Sequence, residues 1–308
     1  MDDDDSRKCG VTEPMTRLLD GLIDYAGLFP PAALPMSAAV QQYAAYRAGA
    51  QRGMLARFVL TADRLEEFVA VASALPEPRG ADGTSWPLAV LATGTDAAAL
   101  DAFDTAHGAR WHVDTIEAKA VDLPGIAALA AAYRPRRVVY VEVPVKQDPA
   151  ALIAALAPVG LRAKIRTGGV TADAFPPPSD VMRFLVACVR YEVPFKATAG
   201  LHHPIRGEYA LTYAADAPRA TMYGFLNLFV AAILLHAGHA AASVAPLLEE
   251  RDASTIRVRD GSITWRALAA DASQVAAARA TFAGSFGSCS FEEPVQDLAA
   301  LSLLPTAR

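Results

Sequence analysis

With 308 residues, 53% of them hydrophobic, the chain can bury one large core or two smaller ones. A formal net charge of −5, and basic residues without a run or an aromatic-interleaved stripe, argue against a nucleic-acid partner. Three widely spaced cysteines, Cys9, Cys188 and Cys289, argue against a disulfide framework and against a Cys-x-x-Cys zinc site, and they fit a reducing cytoplasm.

The acidic start, Met1-Asp2-Asp3-Asp4-Asp5-Ser6-Arg7-Lys8, lacks the apolar core of a signal peptide and reads as part of a frayed tail over residues 1–16. Residues 17–308 read as one domain, in which strand-like runs alternate with Ala/Leu-rich helical runs. Strand 21–29 precedes helix 37–48, and strand 54–60 precedes helix 63–75, which Asp63 is placed to cap. Strand 87–92 leads to helix 96–106, and strand 111–119 to helix 124–133, with Pro124 suited to a first helical turn. Strand 137–145 leads to helix 148–156, strand 161–167 to helix 179–191, and strand 195–198 to helix 221–236. Strand 285–290 and helix 294–301 complete eight units. Eight strand–helix units in a chain of this size predict an α/β fold, a (β/α)8 TIM barrel, ahead of an open doubly wound sheet.

Two segments break the alternation. Residues 202–220 form a long polar and aromatic connection carrying Arg206, Glu208, Tyr209, Tyr213, Asp216 and Arg219, which suits a lid over the barrel mouth. Asp260-Gly261, flanked by alternating residues, predicts a β-hairpin inserted before the eighth strand. The most apolar run, 222–235, is too short to span a bilayer and is interrupted by Asn227. It reads as a core or subunit-interface helix, so a homo-oligomer is one expectation and a membrane protein is not.

In such a barrel, chemistry collects at the C-terminal ends of the strands. The polar residues inside the strand runs are Asp24, Arg57, Asp114, Glu117, Lys119, Glu142, Lys164, Arg166, Lys196 and Thr198. Lys164 and Lys196 lie one strand–helix–strand interval apart, so their strands are expected to be neighbours. Adjacent ammonium groups repel, which favours loss of a proton from one of them, and a neutral lysine attacks carbonyls. Side chains alternate along strands, so Lys164 and Arg166 share the inner face with Lys196 and Thr198, while Ile165 and Ala197 face the helices. Asp114 and Glu117 are three apart, so only one faces the site unless a bulge intervenes. A plainer alternative is that the interior charges simply neutralise one another.

His202 and His203, together with Glu117, Glu142 or Asp24, could instead serve a metal-dependent hydrolase or isomerase. Adjacent histidines point apart on a regular element, and two lysines and an arginine oppose a cation, so no metal is expected. Gly287-Ser288-Cys289-Ser290 before a helix suits an anion cradle.

The barrel strands resemble deoxyribose-phosphate aldolase and related class I aldolases. The first strand of that family reads Ile-Asp-His-Thr, similar to Ile23-Asp24-Tyr25-Ala26, and its fourth carries an aspartate in an apolar run, as does Val113-Asp114-Thr115-Ile116. Its fifth, Val-Ile-Ile-Glu, resembles Val139-Tyr140-Val141-Glu142, and its sixth, Lys-Thr-Ser-Thr-Gly, is similar to Lys164-Ile165-Arg166-Thr167-Gly168. Its seventh, Lys-Ala-Ser-Gly-Gly, resembles Lys196-Ala197-Thr198-Ala199-Gly200, and its Gly-Thr-Ser-Ser phosphate turn has a counterpart in Gly287-Ser288-Cys289-Ser290.

The resemblance implies a cofactor-independent carbon–carbon lyase. Lys164 forms the Schiff base, assisted by Lys196, and Glu142, Asp114 or Glu117 moves protons. The implied substrate is a small anionic oxo compound bearing a carboxylate or phosphate. Asp24, Arg57, Arg166, Thr167, Gly168, Gly169, Thr198, Gly200, His202, His203, Ser288 and Ser290 are the expected substrate contacts. Arg166 stands where the family has a small hydroxyl residue, and the seventh strand lacks the second glycine, so deoxyribose 5-phosphate itself is not the expected substrate. A non-catalytic barrel that binds an anion is the remaining alternative.

Overall fold

The structure, a computed structural model, describes residues 13–75, 85–94, 96–259 and 261–304. In chain order its strands are β1 (Ile23–Tyr25), β2 (Leu55–Thr61), β3 (Trp86–Leu91), β4 (Trp111–Lys119), β5 (Val138–Glu142), β6 (Arg162–Arg166), β7 (Phe195–Thr198), β8 (Gly207–Ala210), β9 (Arg219–Met222), β10 (Ile256–Arg259), β11 (Ser262–Trp265), β12 (Leu268–Asp271) and β13 (Ala283–Ser288). The helices are α1 (Glu13–Leu19), α2 (Met36–Ala48), α3 (Leu65–Ala72), α4 (Ala97–His107), α5 (Leu123–Tyr133), α6 (Ala150–Leu156), α7 (Pro178–Arg190), α8 (Phe225–His236), α9 (Ala241–Val244), α10 (Ala272–Thr281) and α11 (Glu292–Ala300). Strands β1 to β7 and β13 pair in parallel, each with its chain neighbour, and β13 closes on β1. The fold is therefore a (β/α)8 TIM barrel.

Strand alternation explains the layers. Phe195 points outward into a ring cluster with Phe184, Phe229 and Phe282, at centroid distances of 5.2–5.9 Å. Ile165 and Ala197 are also buried against the helices, while Lys164 and Lys196 turn inward as register partners. Strand β4 departs from the regular pleat. Leu88 pairs with Val113 but Ala89 pairs with Thr115, so Asp114 is an extra residue opposite β3. That bulge lets Asp114 and Glu117 both reach interior partners, the case a regular strand forbids.

Several local expectations need correction. Glu13–Thr16, expected in the tail, open α1, because Pro14 and Met15 are buried; residues 1–12 lie outside the described residues. Asp63 does not cap α3: Ala62–Arg64 wind as a 3₁₀ turn and the helix begins at Leu65, without a side-chain cap. Strand β1 is three residues long, and the chain turns directly after it, with Phe29 N bonded to Ala26 O at 2.9 Å. The Pro124 expectation holds, with Asp122 as the cap accepting from Gly125 N at 2.8 Å.

The hairpin before the eighth strand is present as β10–β11, with Arg259 opposite Ser262, and β12 extends it to three strands. Asp260 lies outside the described residues. This insertion has a packing purpose. Residues Phe225 to Leu235 of α8 are all buried, because α9, residues 245–249 and β12 cover the side facing away from the barrel. The apolar run is thus a core helix of a single chain, and it supplies no argument for a subunit interface. Among the described residues no helix is long and apolar enough to cross a membrane.

Asn227, the polar interruption of that helix, joins the insertion to the barrel. Its Oδ1 accepts from Arg206 N at 2.9 Å, and its Nδ2 donates to Leu247 O and Glu250 O at 2.7 and 2.8 Å. Each buried group left unmet costs about 1–3 kcal/mol. Asn227→Leu is therefore expected to destabilise the protein by about 3 kcal/mol or more, read as a lower urea midpoint at pH 7.

Candidate active site

The inward residues of the strands form one chain of alternating charge. At its start, the Arg57 guanidinium grips Asp114 with Nε 2.8 Å from Oδ1 and Nη2 2.9 Å from Oδ2. The Arg57 backbone N–H, 3.0 Å away, donates to Asp24. Asp24, fully buried, accepts from Lys196 Nζ at 2.7 Å and from the Ser285 hydroxyl. Lys196 also contacts Glu117, whose other oxygen lies 2.7 Å from Lys164 Nζ. Lys164 Nζ is 3.0 Å from Glu142, which in turn meets Arg166 Nε at 3.2 Å and Lys119 Nζ at 3.7 Å.

This order bears on the protonation of Glu117, Lys196 and Glu142. Burial alone would raise the Glu117 carboxyl, but Lys164 and Lys196 outweigh it and bring it from an ordinary 4.5 down to about 2. Burial likewise opposes charge on Lys196, yet Asp24 and Glu117 hold its ammonium above the usual lysine range. The expectation that the lysine pair discharges one of its members therefore fails at Lys196. A shared carboxylate stands between the two cations and replaces their repulsion with attraction. Glu142 is also held below the usual carboxylate range, burial being outweighed by Lys164 and Arg166.

A cavity of about 530 Å³ opens at the C-terminal ends of the strands. Lys164 and Glu117 reach it; Lys196 does not, being fully buried behind them. Arg166, Thr198, Gly168, Gly169, Gly200, His202 and His203 line it. Gly168 and Gly200 also have a packing reason. A Cβ on Gly168 would stand 2.4 Å from the Phe175 ring, and Gly200 adopts φ +73° with Gly168 directly against it.

Other expected contacts lie elsewhere. Asp24 and Arg57 are counter-ions within the charge chain, and Asp114 pairs with Arg57, so none of the three lines the cavity. Thr167 is fully buried and its hydroxyl ties β6 to the end of β7 through Ala199 O at 2.7 Å. Ser288 and Ser290 are outside the cavity lining: Ser288 Oγ accepts from Ser290 N, and Ser290 Oγ from Glu293 N at 3.2 Å. The serine oxygens thus brace the turn and the start of α11. His202 and His203 turn away from the barrel carboxylates to Glu293 and Asp297 on α11, at 3.0 and 2.6 Å. Among the described residues no cluster of three His, Cys, Asp or Glu is arranged to hold a metal ion.

The 202–220 segment is not structureless. Strands β8 and β9 pair antiparallel across it, and Tyr209 on β8 and Tyr213 in the turn between the strands wall the cavity. Tyr209 stacks on His203 at 3.6 Å, and the Tyr213 hydroxyl donates to Glu293 at 2.9 Å. Glu293 itself lines the cavity and escapes a reading of the strands. Ser290-Phe291-Glu292-Glu293 has the spacing of a capping box, and that pattern points to the helix end rather than to a site. The wall residues Phe29, Pro30 and Pro31 come from the turn that shortens β1.

Comparison of the chain with protein-family models, with curated proteins and with solved structures gives no match. Fold and site together define a TIM barrel whose cavity floor is one lysine set between two carboxylates. The interior charges predict an acid response. Glu117 has a depressed folded value, so its stabilisation is full above about 4.5 and lost as pH falls towards about 2. Glu117→Gln is expected to destabilise by about 3 kcal/mol or more at pH 7 and by much less near about pH 2.5, read by urea denaturation at both values.

Proposed function

We propose that the protein is a carbon–carbon lyase of the class I aldolase type, working through a Schiff base on Lys164. The observation that carries this reading is the asymmetry of the lysine pair. Lys164 is the cavity-facing amine, 2.7 Å from Glu117 and 3.0 Å from Glu142, while Lys196 is sealed behind it. The strand motifs that resemble deoxyribose-phosphate aldolase support the same assignment.

The two carboxylates suit different tasks. Glu117 is held so far below the usual range that it stays ionised, a fixed counter-charge for the ammonium and for the iminium that replaces it. Glu142 is the proton carrier, since one of the cations that depress it is Lys164 itself and that hold relaxes when Lys164 gives up its proton. Lys164 Nζ passes a proton to Glu142 and attacks the carbonyl carbon of the substrate. The carbonyl oxygen takes up protons and leaves as water, giving an iminium on Nζ. The bond between the α and β carbons then breaks, its electron pair moving toward the iminium to leave an enamine. The β-hydroxyl loses its proton and becomes the carbonyl of the released fragment. Reprotonation of the enamine and hydrolysis of the imine return the free amine.

The substrate is a small oxo compound with an anionic group, for which Arg166 at the cavity offers a planar fork. We place the reaction in a reducing cytoplasm, a setting supported by the free thiols of Cys188 and Cys289. Borohydride reduction with a panel of aldehydes and keto acids is expected to add substrate mass to Lys164, read by peptide mass spectrometry. Lys164→Met should abolish the adduct, and Glu142→Gln should slow its formation by about a hundredfold. Absence of label on any barrel lysine, or full activity in Lys164→Met, contradicts the reading.

A further inference from the structure

The cavity has a second polar end, formed by Glu293, His202 and Tyr213. His202 Nδ1 lies 3.0 Å from Glu293 Oε2, and the Tyr213 hydroxyl donates to that same oxygen at 2.9 Å. Glu293 Oε1 makes no hydrogen bond among the described residues. Burial would raise this carboxyl, but His202 and Tyr213 hold it below the usual range, so it is ionised at neutral pH. One oxygen is thus satisfied by the protein and the other is an open, charged acceptor.

The neighbouring turn, Gly287-Ser288-Cys289-Ser290, is where the strand resemblance would seat a phosphate. Neither of its serines lines the cavity. Ser290 Oγ takes the backbone N–H of Glu293, Ser288 Oγ takes that of Ser290, and Cys289 rather than a serine lines the cavity. A phosphate there would face the ionised Glu293, and like charges at close range in a partly buried site are costly.

We infer that this end of the cavity receives a hydroxyl group of an unphosphorylated oxo compound, with the substrate O–H donating to Glu293, and that Glu293 excludes phosphate. The inference rests on the Schiff-base reading only for where the reacting carbonyl sits. Phe29, Pro30, Val59, Leu91 and Met222 add apolar wall to the same cavity.

Two measurements separate this inference from the reaction itself. Calorimetric titration with glycerol 3-phosphate needs no imine. Glu293→Gln, with its melting temperature unchanged, is expected to bind glycerol 3-phosphate at least about tenfold more tightly than the wild type, equivalent to about 1.4 kcal/mol. Equal or tighter binding by the wild type overturns the inference. Borohydride trapping then compares glyceraldehyde with glyceraldehyde 3-phosphate. Wild type is expected to label at least about tenfold faster with the unphosphorylated aldehyde, and Glu293→Gln to lose that preference. Faster labelling by the phosphorylated aldehyde in the wild type overturns the inference and leaves the Schiff base standing. No labelling by either aldehyde overturns the Schiff base, and the calorimetric result then decides the hydroxyl site on its own.

Discussion

Glu117 stands between Lys164 and Lys196, with one carboxylate oxygen on each ammonium, and the interior of the barrel is organised around that position. Without it, two buried cations in register on adjacent strands would face each other. At an effective dielectric constant of about 20, unit charges roughly 5 Å apart repel by about 3 kcal/mol. Asp24 and Glu142 extend the alternation on either side, so each interior charge touches its opposite. Such a lattice is weak evidence for net stability, because desolvation offsets most of the attraction. Its effect is positional. It holds Lys196 as a cation out of reach of any ligand and leaves Lys164 as the amine at the cavity floor.

The cavity above that floor is built by elements outside the barrel sheet. The β8–β9 hairpin contributes Tyr209 and Tyr213, and α11 contributes Glu293, which the Tyr213 hydroxyl joins to the hairpin. The His203–Asp297 pair and the stacking of Tyr209 on His203 hold the same two elements together. Lys164 thus lies in a cavity walled in part by aromatic and proline side chains. The insertion that carries β10 to β12 plays no part in this wall; it covers α8.

Much of this was legible in the sequence, for identifiable physical reasons. The eight strands declare themselves through apolar runs ending in polar or glycine residues. The spacing of Lys164 and Lys196 matches one strand–helix–strand unit, and the structure makes them register partners. Their inward orientation follows from Ile165 and Ala197 on the opposite face. The bulge at Asp114 was not legible, since it depends on how β4 meets β3 rather than on β4 alone. Nor was the fate of Asp24, Arg57 and Thr167, whose residue types suit a ligand as well as they suit a buried partner. Ser288 and Ser290 look like an anion cradle in one dimension, and the fold sets both outside the cavity lining, with their oxygens accepting from their own turn and from α11. Glu293 shows the reverse: it reads as a helix cap, and the fold brings it to the cavity.

Lys196 is a locked cation, and Lys164 is left as the amine that faces the cavity. Lysine-selective ¹⁵N labelling, with Lys164→Met and Lys196→Met spectra for assignment, reads the side-chain nitrogens directly across a pH titration. The expected result is a slowly exchanging Lys196 ammonium that persists beyond the ordinary lysine value of 10.5, because Asp24 and Glu117 remain ionised beside it. A neutral Lys196 amine near pH 7 would contradict the account.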